Sequence, residues 1–167
     1  MNNVIQIPTG RSYIEADVGQ EVRTLTPEDT IAALPLEQII KKAFENPIGT
    51  QKLKTLARGK DTVAIVVNDI TRPTPTREIL SPILEELERS GIIRDNITII
   101  IATGAHDPHT PEEIIECVGK QTAQRYRVIN HDYSDDNSLT YLGETGMGLP
   151  VHVNKVYAEA SLKILTG

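Results

Sequence analysis

The fold is decided by one stretch of sequence, VAIVVNDITRPTP, which runs from Val63 to Pro75. Its first five residues are apolar and mostly β-branched, and it then changes abruptly to polar, charged and proline residues. A continuous apolar run of this kind is typical of a strand that is buried on both faces, as in parallel sheets. In open α/β sheets, ligands bind beyond the carboxyl ends of the strands. The sequence therefore predicts a ligand site that includes Asp69, Thr71 and Arg72.

A second stretch of the chain repeats this arrangement. The apolar run Ile97–Ala102 is followed by TGAHDP, which contains His106. A helical pattern separates the two runs, so we expect them to be parallel neighbours in a β-α-β unit. Asp69, Arg72 and His106 are then expected to line one rim of the sheet, with all three side chains open to solvent.

The remaining patterns predict a three-layer α/β/α domain with a mostly parallel sheet and a strand-rich carboxyl-terminal part. The helix at 76–90 carries Pro82, which either kinks it or begins a fresh helix. Thr110 is a predicted N-cap, with Pro111 and Glu113 completing a capping box. Further strands are predicted at Val4–Ile7, Ser12–Ala16, Tyr126–Ile129, Leu139–Leu142, Val151–Val153 and Leu162–Leu165, and further helices at Leu36–Phe44, around Leu53 and Leu56, and from Thr26 onward.

Length and composition exclude several classes of protein. The chain has 167 residues, which suits one domain, and a net charge of −6, which lacks the electrostatic footprint of a nucleic-acid binder. No apolar run approaches the roughly 18 residues that a membrane span needs. The single cysteine, Cys117, has no partner for an internal disulfide, which favours a reducing cytoplasm. We therefore expect a cytoplasmic protein that binds neither nucleic acid nor membrane.

The candidate residues each allow a functional and a structural interpretation. Asp69 could accept hydrogen bonds from a ribose, and the Arg72 guanidinium could bind a carboxylate or phosphate. Alternatively, the two side chains form a local ion pair that only fixes a loop. His106 could be a general base near neutral pH, or a loop histidine bonded to backbone.

Other polar patterns favour structural roles. The spacing of His106 and His109 across a proline does not suit a metal site, so no metal ligand is assigned. The pair His131-Asp132 could be a base oriented by its acidic neighbour, but adjacent strand residues face opposite ways, which favours a structural role. His152 is interpreted as a surface or packed strand residue, and Cys117 as buried and inert. Gly143, Gly146 and Gly148 predict a turn and not a phosphate-binding loop, because no helix follows them.

The motifs NDITRPTP (68–75), ATGAH (102–106) and NHD (130–132) together resemble the amino-terminal domain of the lactate racemase family. The resemblance covers nearly the whole chain in order. It implies that residues 1–167 are the cofactor-binding domain of a larger protein that racemises or epimerises a 2-hydroxyacid. A carboxyl-terminal domain is then expected as a partner, and the strand at Leu162–Leu165, with only Thr166 and Gly167 after it, suggests that a longer chain stops here.

The resemblance also implies a cofactor and roles for individual residues. The family cofactor is a nickel pincer nucleotide, a nickel pyridinium bisthiocarboxylate mononucleotide that accepts hydride from the substrate. By motif position, Asp69, Ile70, Thr71 and Arg72 would bind this cofactor, and His106 would be a catalytic base. A second histidine, the lysine that tethers the cofactor and the nickel-ligating histidine belong beyond Gly167. The chain by itself is therefore expected to be inactive and not to retain the cofactor.

Two positions depart from the family pattern. The residue after the catalytic histidine is often Arg in the family and is Asp107 here, and an acidic residue is common where Ala160-Ser161 stands. An acid beside a carboxylate substrate would repel it, so Asp107 bears on substrate choice. The alternatives to the enzyme are a non-catalytic module that binds a nucleotide or phosphate through Thr71 and Arg72, and a structural domain.

Overall fold

The computed structural model describes residues 4–10, 12–19 and 34–166, and the chain divides into two compact units. The first unit, Met1–Leu34, contains the strands β1 (Val4–Thr9) and β2 (Ser12–Asp17), which pair as an antiparallel hairpin. Both strands were predicted from the alternation of the sequence. The helix predicted to begin at Thr26 lies outside the described residues.

The second unit, Pro35–Gly167, carries the predicted α/β body. Its elements, in chain order, are α1 (Leu36–Glu45), α2 (Leu53–Leu56), β3 (Val63–Asn68), α3 (Thr76–Arg89), β4 (Ile97–Ala102), α4 (Pro111–Val118), α5 (Lys120–Arg125), β5 (Arg127–Asn130), β6 (Leu139–Glu144), β7 (Pro150–Asn154), α6 (Lys155–Glu159) and β8 (Leu162–Thr166). Single 3₁₀ turns occupy Arg94–Asn96 and Asp136–Ser138. No helix in the described part of the chain is long and apolar enough to cross a membrane.

The main sheet is parallel, with strand order β5-β4-β3-β8, and β6 and β7 form a separate antiparallel hairpin. One face of the main sheet packs its buried side chains, including Ile65 and Ile99, against α3, α4 and the segment after α2. The other face, which carries Ala64 and Ile100, packs against α6 and Ala160. The α/β/α class with a strand-rich carboxyl-terminal part is thus confirmed.

Local sequence signals explain most helix ends. Thr110 caps α4 with its hydroxyl, and Glu113 returns a bond to the Thr110 amide, which completes the predicted capping box. Of the two alternatives for Pro82, a fresh helix is excluded, because α3 runs without a break from Thr76 to Arg89. The short helices α5 and α6 were not predicted; α6 begins where the Asn154 side chain accepts a hydrogen bond from the Tyr157 amide.

Strand register places the functional loops side by side. Val63 pairs with Ile97 and Asn68 with Ala102, so β3 and β4 begin and end at the same level. The prediction that these strands are parallel neighbours is confirmed. The loops that follow them, β3–α3 and β4–α4, therefore leave the sheet next to each other.

A cluster around Glu88 ties the opposite end of this unit together. The Glu88 carboxylate accepts hydrogen bonds from Arg94 at 2.6 and 2.9 Å and from Arg125 at 3.3 Å, and it also contacts the Tyr126 hydroxyl. The bonds from Arg94 and Tyr126 lower the pKa of Glu88 to about 2. The cluster joins the end of α3 to the segments that enter β4 and β5.

This cluster predicts an acid-sensitive contribution to stability. Because the pKa of Glu88 is lower in the folded chain than in the unfolded chain, its stabilisation is complete above about pH 5 and is lost as pH falls toward 2. Urea unfolding at pH 7 and pH 3 should show that E88Q loses more free energy of unfolding at pH 7 than at pH 3. E85Q is the matched control, since Glu85 makes only an exposed i, i+4 pair with Arg89. An equal loss for E88Q at both pH values would contradict the assignment.

Candidate functional site

The β3–α3 loop is organised around the Asp69 carboxylate. Asp69 follows β3 directly and is only 5 % exposed. Its Oδ1 accepts hydrogen bonds from the Thr71 amide at 3.1 Å and from the Thr71 hydroxyl at 2.6 Å. The Arg72 amide donates to the Asp69 carbonyl at 3.2 Å. These bonds close a tight turn and fix the backbone that carries Arg72.

The second oxygen of Asp69 contacts a histidine from the neighbouring loop. Oδ2 pairs with Nδ1 of His106, whose side chain is 54 % exposed. The β4–α4 loop turns immediately after β4, with the His106 amide bonded to the Thr103 carbonyl and Gly104 at φ +59°. Only glycine adopts that backbone conformation without strain, which explains its place before His106.

This pairing sets the chemistry of the imidazole. Burial alone would raise the pKa of Asp69, but the hydrogen bonds from Thr71 and His106 outweigh it and the pKa is lowered. Asp69 is therefore an ionised acceptor, and Nδ1 of His106 carries the hydrogen that faces it. In the neutral ring this leaves Nε2 without a hydrogen and able to accept a proton. A buried carboxylate that orients an exposed imidazole is an arrangement used in general-base catalysis.

Arg72 presents its positive charge to solvent. Among the described residues, no carboxylate or carbonyl is bonded to its guanidinium, and the side chain is exposed. The alternative of a local Asp69–Arg72 ion pair is not observed: the Asp69 oxygens contact Thr71 and His106, and no ion pair joins the side chains of Asp69 and Arg72. A free guanidinium that follows a fixed turn can bind a carboxylate or phosphate in two parallel hydrogen bonds.

The three predicted residues meet in one depression of about 290 Å³, here called the site cleft. Its lining residues are Asn68, Asp69, Arg72 and Ala102 to His106. A second depression of about 300 Å³ shares Asp69 and Arg72 and extends along the start of α3. A larger depression, between α1 and α3, has no histidine in its lining. A further depression of about 330 Å³ is lined by His131 and His152 and includes none of Asp69, Arg72 and His106.

One part of the geometric prediction is wrong. Arg72 and His106 are open to solvent, but the Asp69 side chain is only 4 % exposed. The reason is that both of its oxygens are used inside the protein. The Asp69 carboxylate thus lies at the bottom of the site cleft, and it contacts the exposed part of the cleft through the His106 ring.

Sequence reasoning missed the role of His109. It was expected only to precede the Thr110 cap, but it is 8 % exposed and its Nε2 accepts the Ile70 amide at 2.9 Å. Its own backbone amide and carbonyl are bonded to the side-chain amide of Asn130, at 3.1 and 3.0 Å. Nothing in the spacing of the motif indicates this long-range contact.

The other polar residues lie outside the site cleft. The ring of His131 contacts the Asn154 side chain at 3.5 Å, while Asp132 accepts hydrogen bonds from Ser134. His152 packs against the ring of Tyr141 at 5.2 Å between centroids. Cys117 is buried, and burial raises the pKa of its thiol, as expected for an inert cysteine. Within residues 4–10, 12–19 and 34–166, no group of three His, Cys, Asp or Glu side chains is placed to share a metal ion.

Ser161, one of the two residues at the position where the resemblance implies an acidic residue, has a structural role. Its hydroxyl oxygen accepts hydrogen bonds from the Asp61 and Thr62 amides at 3.1 and 3.0 Å. The same hydroxyl donates to the Thr62 carbonyl. Ser161 therefore joins the starts of β3 and β8 and takes no part in the site cleft.

Comparisons with known proteins agree with the motifs and the fold. The chain is 38 % identical over 131 residues to a lactate racemase of Lactiplantibacillus plantarum, covering 78 % of this chain and 31 % of that protein. It is 32 % identical over 168 residues to a lactate racemase of Thermoanaerobacterium thermosaccharolyticum, covering 98 % of this chain and 39 % of that protein. The chain thus spans 31 % and 39 % of the length of these two relatives.

A solved structure extends the agreement to three dimensions. The lactate racemase apoprotein from Thermoanaerobacterium thermosaccharolyticum superposes with a TM-score of 0.76 at 31 % sequence identity, over 97 % of this chain and 38 % of that chain. The sequence-family model of the lactate racemase N-terminal domain matches residues 9–167, which include every residue of the site cleft. The chain belongs to the lactate racemase N-terminal domain family.

Proposed function

We propose that this chain is the cofactor-binding domain of a larger enzyme that racemises or epimerises a 2-hydroxyacid. The observation that carries the proposal is the pairing of buried Asp69 with exposed His106 beside the free guanidinium of Arg72. A base held in one tautomer next to a cation suits a substrate that carries both a hydroxyl and a carboxylate. The family match supports racemase chemistry.

The residues present fit a nucleotide cofactor, and we propose the nickel pincer nucleotide. Arg72 offers an unpaired guanidinium, and the loop continues into the amino end of α3, where backbone amides and the helix dipole favour a phosphate. Residues Asp69 to Arg72 would hold the nucleotide along this loop. When bound, the cofactor supplies a pyridinium ring that accepts hydride from the substrate carbon.

The chain's own residues would move the proton. Nε2 of His106 would accept the proton of the substrate hydroxyl as the hydride leaves the substrate carbon. Asp69 would stabilise the imidazolium that forms. Thr71 would keep the Asp69 carboxylate in place through its two hydrogen bonds. The second histidine, the tether lysine and the nickel ligand would come from the carboxyl-terminal domain of the complete enzyme. The buried, reduced thiol of Cys117 fits a cytoplasmic enzyme.

A non-catalytic module that binds a nucleotide or phosphate is the second candidate function. The observation that favours it is the exposed Arg72 at the start of α3, which would bind a phosphate without any base. This candidate gives no reason for the Asp69–His106 pair. Variants of His106 therefore discriminate between the two functions.

The proposed base, His106, can be tested in the complete enzyme. His106→Ala should lower kcat by about 10²- to 10⁴-fold, because general-base catalysis contributes a factor of that size. His106→Gln keeps hydrogen bonding but cannot accept a proton, so it should lose a similar factor. Racemase assays in both directions measure the loss, with cofactor content measured by nickel analysis. Near-normal turnover of the Gln variant would show that His106 is not the base.

Arg72→Ala should show the opposite pattern. The loss of its charge should release the cofactor first, with the loss of activity as a consequence. Cofactor content per protein should therefore fall in this variant while it stays nearly unchanged in His106→Ala. If both variants retain the cofactor equally, Arg72 does not bind it.

Another prediction concerns Asp69. Asp69→Asn keeps the volume of the side chain but removes the charge that holds the His106 tautomer, so kcat should fall by up to about 10⁴-fold. The pH profile should also change, because the lowered pKa of Asp69 keeps a negative carboxylate beside His106 in the native chain, whereas Asn carries no charge. Asp95→Asn, an exposed residue just before β4, is the matched control and should leave the pH profile unaltered. An unaltered profile for Asp69→Asn would remove the carboxylate from the proposed mechanism.

The last prediction from the proposed function concerns the chain by itself. Hydride transfer needs the cofactor ring held at near-attack distance from the substrate, and the proposed tether and nickel ligand belong to the carboxyl-terminal domain. The isolated chain should therefore neither retain nickel after desalting nor racemise lactate when cofactor is added. Clear turnover would place all the required groups within residues 1–167.

A further inference from the structure

His109 is a buried titratable group that the proposed mechanism does not use. It lies three residues after His106 in the β4–α4 loop, and its ring faces the β3–α3 loop. Because Nε2 accepts the Ile70 amide, the ring is neutral and carries its hydrogen on Nδ1. The ring thus accepts a hydrogen bond from the Ile70 amide, which lies in the loop between β3 and α3.

Two histidines of one loop therefore hold two consecutive residues of the other. His106 binds the Asp69 carboxylate, and His109 binds the Ile70 amide at 2.9 Å. The first contact is made by a His106 side chain that is 54 % exposed, whereas the second is made by a histidine that is only 8 % exposed. The contact of His109 is therefore made by the less exposed ring and is the one suited to set the distance between the loops.

Asn130 holds His109 itself in place. Its side-chain amide accepts from the His109 backbone N–H and donates to the His109 carbonyl, so both backbone polar groups of His109 are bonded to the end of β5. This double contact fixes the backbone from which the ring projects. Because Asn130 is the last residue of β5, these contacts fix the position of the Ile70 amide relative to the sheet through His109.

We infer that His109 is a positioning residue that sets the separation between the loop Asp69–Arg72 and the base His106. The inference rests on the proposed function, since it assigns to His109 the alignment of that same site. It gives His109 no contact with substrate or cofactor. A displacement of about 1 Å in reacting groups can cost 10²-fold in rate, so a contact of this kind affects turnover from outside the site cleft.

The test compares His109→Gln with His109→Leu. The Gln side-chain oxygen can take the place of Nε2 as an acceptor, whereas Leu fills similar space without one. The exchange rate of the Ile70 amide, measured by NMR on the chain, should rise by about tenfold in His109→Leu, the factor expected for one ordinary hydrogen bond. In the complete enzyme, kcat should fall by up to about 100-fold in His109→Leu. His109→Gln should restore both quantities toward the native values.

The outcomes separate this inference from the proposed function. Unchanged exchange of the Ile70 amide in His109→Leu, or faster exchange with native kcat, would overturn the positioning role. If the native complete enzyme racemises or epimerises no 2-hydroxyacid, the proposed function fails, while the exchange ratio of the Leu and Gln variants still decides whether His109 holds the loop. Should His109→Leu not fold, Asn130→Ala removes the anchor without altering the ring. Faster Ile70 exchange in Asn130→Ala supports the inference, and native exchange contradicts it.

Discussion

The in-register pairing of β3 with β4 is the constraint on which the site depends. Because Asn68 and Ala102 are partners, the two strands end at the same level and their loops leave the sheet together. A shift of two residues along β4 would displace His106 by roughly 6.6 Å, beyond the reach of the Asp69 carboxylate. The register is in turn held by apolar side chains on both faces, among them Ile65 and Ile100.

The electrostatics of the site follow from burial beneath an exposed group. A carboxylate that is 4 % exposed is costly unless its oxygens are bonded, and Thr71 and His106 provide those bonds for Asp69. The same contacts fix the orientation of an imidazole that stays open to solvent. One buried carboxylate thus has its hydrogen bonds satisfied and fixes the orientation of an exposed imidazole.

Sequence reasoning predicted the strands of the main sheet, the helices α3 and α4 and the meeting of Asp69, Arg72 and His106, because strand periodicity and strand ends are local signals. It offered an Asp69–Arg72 ion pair as one alternative and did not predict the pair of Asp69 with His106. That pair joins side chains 37 positions apart, which no spacing rule reports. The contact of His109 with Ile70 was missed for the same reason, since it joins residues 39 positions apart.

The Glu88 cluster and the site cleft lie at opposite ends of the same strands. The cluster joins α3 to the segments that enter β4 and β5, whereas the site cleft follows the carboxyl ends of β3 and β4. Substitutions at one end can therefore accumulate without disturbing contacts at the other, since distant sites without shared partners act almost independently. The amino end of the sheet is accordingly the place where the tolerance of this domain to heat or acid can change in evolution or engineering while its chemistry is preserved.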